Sequence, residues 1–368
     1  MAKALIIGGG AIGRGFLPWL LSAFEIDIID KSEDIVRGIT KQGGFHSFMS
    51  DGNKLNKKWF EVRRIATNFN GLRSLDYNIA FISVGPRNIN HLPKGVELLR
   101  CPIFSLENDP ITVSLIKDKY KLEKVYFGVP DVITSSTASS KNLSSDIFAL
   151  HTENGVLYLQ RPPKLDISLA ELLPKVQWLS EESLRQEWDA KLYIHNTPHC
   201  IAAYLGHIVG CTYIHEALEK KSIKRIINGV IDELLSAIKI DTSYDHQFIE
   251  SYAKKEVRRF SNNLLFDPIS RVAREPLRKL HPSGRLMGAL RLLLSKGINP
   301  TYLMLGIAAA LSYSDKKDED YLQLRELNEF GISSFLKYHL GLDDKSIESK
   351  FVTKNFSKAI DYIKRECL

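Results

Sequence analysis

A doubly wound α/β domain with a mostly parallel sheet, followed by a mainly α-helical domain, is the fold class this sequence predicts. Three observations predict it. Unbroken apolar runs recur through the first half: Lys3-Ala-Leu-Ile-Ile-Gly8, Asn78-Ile-Ala-Phe-Ile-Ser-Val84 and Lys124-Val-Tyr-Phe-Gly-Val129. Strands buried on both faces of a parallel sheet read this way, whereas one-sided strands alternate. The first run passes straight into a glycine cluster and then a helical pattern, Phe16-Leu-Pro-Trp-Leu-Leu21. From about Leu169 the pattern turns helical and stays so. The expected domains are residues 1–184 and 185–368, two being the number that 368 residues suggest.

Taken in order, the glycine cluster Gly8-Gly9-Gly10-Ala11-Ile12-Gly13 has GxGxxG spacing directly after a strand. Gly8 permits the tight turn, Gly10 lets the backbone approach a pyrophosphate, and Gly13 lets helix and strand pack closely. The following helix N-terminus offers free N–H groups to phosphates. The first domain is therefore expected to be of the Rossmann type, with residues 8–13 against a dinucleotide. The next strand, Ile26-Asp-Ile-Ile-Asp30, ends in an acid 17 residues after Gly13. A carboxylate there can accept from both ribose hydroxyls of NAD and would repel a 2′-phosphate. An ordinary strand-end acid is the other reading, and the adjacent Lys31 leaves NADP open.

Residues 45–49 and 59–65 alternate weakly and are expected as extra strands of the sheet. Val84-Gly85-Pro86 closes the next strand, where the fourth strand of a dinucleotide fold passes under the nicotinamide half of the cofactor. Pro102-Ile-Phe-Ser-Leu106 ends in Glu107-Asn108; on spacing alone Asn108 is a turn residue. The Lys124 run is followed by Pro130-Asp131 and a polar run at 134–140. These polar tips lie at strand C-terminal ends, where open α/β sheets bind ligands. Residues 146–160 read as strands with a turn at Glu153-Asn154-Gly155, and Arg161-Pro-Pro-Lys164 as a linker or edge. A charged helix starts at Ser180, and further helices are expected at 215–240, 247–262, 285–294, 301–313, 319–330 and 354–365.

Apolar residues make up 44% and charged residues 25%, the balance of a globular chain with a sizeable core. A net charge of +7 suits an anionic small molecule. No Lys/Arg run is interleaved with aromatics, so no nucleic-acid partner is expected. The four cysteines, Cys101, Cys200, Cys211 and Cys367, form no CxxC pair and no zinc-like Cys/His array. They read as reduced thiols in a cytoplasmic protein without a metal. A structured pattern from residue 3 leaves no signal peptide, and the most apolar run, residues 16–24, is too short to span a bilayer. A monomer or homodimer without membrane association is expected.

Two stretches carry candidate chemistry. Lys191-Leu-Tyr-Ile-His-Asn196-Thr-Pro-His199 holds an ammonium, an amide and an imidazole within nine residues. Either Thr197 caps and Pro198 starts a helix, or one continuous helix is kinked where Pro198 leaves the carbonyl of Ile194 unpaired. In both cases Lys191, Asn196 and His199 could reach one small volume. A lysine in a dry pocket loses proton affinity and can act as acid or base near neutral pH. An Asn amide can donate to a developing oxyanion, and a His can orient the reacting oxygen. A buried, hydrogen-bonded His beside a surface Lys fits the same residues. The second stretch, residues 271–285, carries five fixed cations, Arg271, Arg274, Arg278, Lys279 and Arg285, and one acid. It suits phosphate or carboxylate, or else a solvated basic surface or a salt-bridge network.

Together these segments resemble the polyol-specific long-chain dehydrogenase/reductase family, and within it the sugar-phosphate members. Gly8-Gly-Gly-Ala-Ile-Gly-Arg-Gly-Phe16 is similar to the family's cofactor loop, and Val84-Gly-Pro86 and Glu107-Asn108 to its strand-end motifs. Lys191-x4-Asn196-x2-His199, continued by Ala203-Tyr-Leu-Gly206, is similar to its catalytic signature. Arg271-Val-x-Arg274-x-Pro-Leu-Arg-Lys-Leu280 and Gly306-Ile-Ala-Ala-Ala310 extend the likeness. The resemblance implies metal-independent, NAD-dependent interconversion of a polyol phosphate and a ketose phosphate. It implies Lys191 as general acid/base, Asn196 and Asn108 on the oxyanion, and His199 positioning the substrate. Arg274, Arg278 and Lys279 would line the site for an anionic sugar. The chain departs from the family at Pro198, often Gly, and at Asp131-Val132-Ile133, where the family carries Asp-Arg-Ile followed by prolines. No Glu-Trp element is evident around Glu153. The alternatives are a hexuronate or free-sugar reductase of the same family and a non-catalytic NAD-binding regulatory protein.

Overall fold

Each apolar run of the first half forms a strand, because a segment with no polar face is stable only where both faces are covered. The computed structural model describes residues 1–72, 75–135, 138–240 and 244–368, so Ser136 and Thr137 of the polar run lie outside it. The strands are β1 (Ala2–Ile7), β2 (Phe24–Ile29), β3 (Gly44–Asp51), β4 (Lys54–Glu61), β5 (Arg64–Ala66) and β6 (Ile79–Ile82). They continue as β7 (Ile103–Ser105), β8 (Val125–Asp131), β9 (Leu150–Glu153), β10 (Val156–Gln160) and β11 (Val176–Leu179).

The main sheet has eight strands in the order β11-β10-β8-β7-β6-β1-β2-β5. From β5 to β8 all pairings are parallel, which is the 3-2-1-4-5-6 order of a doubly wound domain. Strand β10 runs antiparallel to β8, and β11 parallel to β10. Ile6, Ile28, Phe81 and Phe104 face one apolar layer with Phe16 and Leu17. Leu5, Ile7, Ala80 and Ile103 face the other, with Ile89, Val96 and Ile116. Alternate residues of one strand thus enter opposite cores, which is why the runs are unbroken. The strand order reverses between β1 and β6, and a crevice opens there at the strand C-terminal ends.

Four expectations are corrected. Strands β3 and β4 are not extra strands of the main sheet; with β9 they form a separate sheet in the order β4-β3-β9, and only β5 joins the large one. Seven of the eight β4 residues are exposed and only Phe60 is buried, a pattern that a strand covered on both faces cannot carry. Residues 153–155 do not turn a hairpin either. β9 pairs with β3 in parallel and β10 pairs with β8. Gly155 is needed where the chain passes Val132, since a Cβ there would lie 2.5 Å from the Val132 Cβ. The pattern after Leu169 is not all helical: four residues form β11, too few for periodicity to separate strand from helix. The helix expected at 215–240 is two, Ile214–Glu219 and Lys221–Lys239, broken at the extended Lys220.

The chain forms two compact units: residues 1–188 with 264–266, and residues 189–263 with 267–368. The second unit is helical. Its Thr197–Ile208 helix has ten buried residues and packs against the helices Lys221–Lys239, Ile269–Ala273 and Thr301–Leu311. Small residues make that possible: a Cβ on Gly206 would lie 2.6 Å from Ile269, and one on Gly306 2.4 Å from Ile201. Among the described residues, no helix is long and apolar enough to cross a membrane.

Candidate active site

In the first unit the C-terminal ends of β1, β2 and β6 surround a cleft of about 720 Å³, lined among others by Gly8, Gly10, Asp30, Lys31, Val84 and Asn88. The three glycines have distinct duties. Gly8 has φ +101°, and a Cβ on it would lie 2.4 Å from the Ser83 carbonyl oxygen. A Cβ on Gly13 would lie 2.0 Å from the Gly8 carbonyl oxygen, so the turn closes only without one. A Cβ on Gly10 would meet nothing within 4 Å. That face is open space, as the approach of a phosphate chain requires.

Carboxylates hold the cleft in shape. Asp30 Oδ2 accepts from the Gly9 N–H and Oδ1 from the Ser32 N–H, each at 2.8 Å. Glu107, buried at the end of β7, accepts from the Val84 and Gly85 N–H groups at 2.8 and 2.9 Å, and Pro86 follows at the start of a short turn. Arg14 is also buried: its guanidinium donates to the carbonyls of Gly9 and Phe148, and burial pulls its pKa down to about 10. Glu107 and Arg14 were not among the sequence candidates. Both lie in segments already noted for their resemblance to family motifs, but nothing local in the sequence shows which backbone groups they hold. Asn108 is exposed, and its carbonyl accepts from Trp188 Nε1 at 3.5 Å. Val132 is part of the apolar core of this unit.

In the second unit, Lys191–Asn196 is a π-helical turn that runs directly into the Thr197–Ile208 helix. The helix is continuous, and Thr197 does not cap it: its N–H and hydroxyl both donate to the Leu192 carbonyl five residues back. The glycine loop repeats the device: Ala11–Phe16 is π-helical, and the Leu17 N–H reaches the Ile12 carbonyl. Each widened turn ends two residues before a proline, Pro198 or Pro18. A proline has no N–H for the carbonyl four residues back, and its ring clashes with that carbonyl; widening the turn relieves both.

Lys191, Asn196 and His199 are all buried, and Lys191 is only 6% exposed, so the surface-lysine reading does not hold. His199 Nε2 lies 3.0 Å from Asp267 Oδ2, within ion-pair range but off the line of a good hydrogen bond. Asp267 Oδ1 accepts from Arg271 Nε at 2.7 Å. Burial pushes the Asp267 carboxyl up, but Arg271 and then His199 outweigh it and leave it below the ordinary range. The His199 ring stacks flat on Phe260, 4.9 Å between centroids. Asp267 went unnoticed in the sequence, where only its place four residues before Arg271 hinted at a pair.

The basic segment is two short helices, Ile269–Ala273 and Pro276–Leu280, about a left-handed Glu275 at φ +56°. The Glu275 and Leu277 N–H groups donate to Asp318 and Asp320, which fix the corner. Lys279 is buried, lies 5.6 Å from the centre of the Tyr204 ring and donates to the Arg274 carbonyl. Burial, and then Arg285, push its pKa well below that of an ordinary lysine. Arg278 pairs with Glu275 at 2.5 Å, while Arg274 is exposed. Arg285 donates to the Asn196 carbonyl at 3.3 Å. Lys191, Asn196, His199 and Lys279 thus belong to the second unit; the glycine loop, Asp30 and Asn108 belong to the first. No cluster of three or more His, Cys, Asp or Glu side chains arranged to hold a metal is present among the described residues.

Comparison with known proteins bears on this arrangement. Residues 188–346 match the mannitol dehydrogenase C-terminal domain family. The chain is 28% identical over 380 residues to a mannitol-1-phosphate 5-dehydrogenase from Caldanaerobacter subterraneus, covering 94% of this chain and 95% of that one. It is 29% identical to one from Clostridium acetobutylicum, covering 86% and 88%. Among solved structures, Pseudomonas fluorescens mannitol 2-dehydrogenase in ternary complex with NAD and D-mannitol aligns with a TM-score of 0.79 at 14% identity. That alignment covers 100% of this chain and 93% of that one, so the two share a fold. The chain is therefore similar to mannitol-1-phosphate 5-dehydrogenases along most of its length, and its residues 188–346 match the C-terminal domain of the mannitol dehydrogenase family.

Proposed function

We propose that this chain is an NAD-dependent polyol-phosphate dehydrogenase that interconverts mannitol 1-phosphate, or a close relative, with a ketose phosphate of the fructose 6-phosphate kind. The observation that carries this reading is its likeness to mannitol-1-phosphate 5-dehydrogenases over more than nine-tenths of both chains. The residues fit the cofactor: the open face at Gly10 and the fixed carboxylate of Asp30 are what a pyrophosphate and an unphosphorylated ribose need. Residues 8–13, Asp30 and residues 84–86 would hold NAD, which supplies a two-electron hydride acceptor when bound.

The rest is the work of the chain itself. In the oxidative direction the Lys191 amine takes the hydroxyl proton from the carbon that loses hydride; in reverse its ammonium returns that proton to the ketone oxygen. Asn196 and Asn108 donate to that oxygen as charge develops on it. His199, held by Asp267 and stacked on Phe260, orients the sugar. Lys279, Arg278 and Arg274 meet the phosphate; a guanidinium fork and a point charge are both suited to it.

The test is a substrate panel followed by NADH absorbance, with phosphorylated ketoses, free ketoses, fructuronate and tagaturonate. Fructose 6-phosphate or another ketose phosphate is expected to turn over. No turnover on any phosphorylated ketose would overturn the reading. Activity on the uronates alone would make the chain a hexuronate reductase, and calorimetric NAD binding without turnover would make it a non-catalytic binder.

A further inference from the structure

Between Lys191 and His199 the chain carries a second imidazole, His195, immediately before Asn196. Its side chain is 3% exposed and its Nδ1 donates to the carboxylate of Glu256, which is fully buried. The other Glu256 oxygen accepts from Arg259 Nη1 at 2.7 Å. Glu256, Arg259 and Phe260 lie three and four residues apart on the His246–Phe260 helix, so they share one face. Phe260 packs against both imidazoles, with centroids 5.2 Å from His195 and 4.9 Å from His199. One helix face therefore grips the π-helical turn and the helix after it.

The grip is chemically expensive for mere packing. A buried carboxylate must be desolvated, and an apolar residue of similar size often serves stability as well or better. A hydrogen-bonded ring, however, sets rotation as well as distance, which an apolar contact does not. The turn in question is the one place where the helix leaves its usual register, and it carries Lys191 at one end and Asn196 at the other. We infer that His195 is a positioning residue: through Glu256 it fixes the rotation of the widened turn, and so the directions in which the Lys191 amine and the Asn196 amide point. The inference rests on the dehydrogenase reading above.

The test compares His195→Leu, His195→Asn and Glu256→Gln with the wild-type chain, with fructose 6-phosphate or the best ketose phosphate of the panel. His195→Leu should lower kcat by about 10–100-fold while KM and NADH affinity stay within about twofold, because orientation and not binding is lost. His195→Asn, whose amide can still donate to Glu256, should recover most of kcat, which a purely structural role would not predict. Glu256→Gln keeps the shape and should fall between; it carries the test alone if His195→Leu does not fold. A folded His195→Leu or Glu256→Gln protein with kcat within about twofold of wild type would overturn the inference, as would a loss confined to KM. A wild-type chain inactive on every ketose would instead defeat the dehydrogenase reading, and the inference with it.

Discussion

Two glycines three residues apart in one loop, Gly10 and Gly13, should respond in opposite ways to the same substitution. Gly10 has φ −78° and ψ −156°, a backbone that alanine adopts without strain, and its added Cβ would meet nothing within 4 Å. Gly→Ala at such a position stabilises by about 0.4–1 kcal/mol, because the unfolded chain loses freedom. For a domain of this size that is a rise in Tm of about 1–4 °C. The methyl would, however, fill the face a dinucleotide pyrophosphate must approach, and NADH affinity should fall at least about tenfold, or about 1.4 kcal/mol. At Gly13 the added Cβ would lie 2.0 Å from the Gly8 carbonyl oxygen and 3.0 Å from Ile6 Cγ2. Non-bonded heavy atoms rest at about 3.5 Å, so the turn must yield by about 1.5 Å. Overpacking of that kind costs about 1–3 kcal/mol, a fall in Tm of about 2–12 °C. Thermal unfolding of each variant, with a fluorescence titration of NADH, measures both quantities. A Gly10→Ala protein that binds NADH as tightly as wild type, or that loses stability, would refute the assignment of that face to the cofactor.

Two further predictions concern the helical unit. Lys191→Ala should lower turnover by about 10²–10⁴-fold while NADH still binds, and near-native turnover would remove Lys191 as the acid–base group. Asp267→Asn should destabilise by about 3–5 kcal/mol at pH 7, because Arg271 and His199 lose a buried partner. Asp267 is held below the ordinary carboxylate range, so its contribution is fully present above a pH of about 4 and is lost as pH falls through its folded value. Urea midpoints of wild type and variant should therefore keep their gap above a pH of about 4 and converge as pH falls below it; a gap that already closes above that pH would count against the pairing.

The distance between reading and structure is clearest at particular residues. The carboxylates that shape the site, Glu107, Asp267 and Glu256, lie 22 to 68 residues from the groups they hold; Glu107 meets Gly85, Asp267 meets His199 and Glu256 meets His195. No periodicity reports such a pairing, since each acid looks locally like any other. The weakly alternating residues at 45–49 and 59–65 show the same limit for strands: alternation says that one face is covered, not which sheet supplies the cover. The widened turns are an intermediate case. At Pro198 the choice between a helix start and a continuous helix was visible, but only packing on both sides holds the helix together through the proline.

What the amino-acid order determined unaided is the centre of the first domain: doubly buried strands, a glycine loop with a strand before and a helix after, an acid closing β2, and a lysine–amide–imidazole series in the helical half. These are local properties, written within stretches of six to ten residues by side-chain volume, backbone freedom and chemical type. Tertiary structure alone decided which carboxylate meets which imidazole, that Lys191 is dry, that Lys279 is buried while Arg274 is exposed, and that β3, β4 and β9 form a sheet of their own. Desolvation and charge pairing depend on which elements the fold brings together, and that is a sum over the whole chain rather than over any window of it.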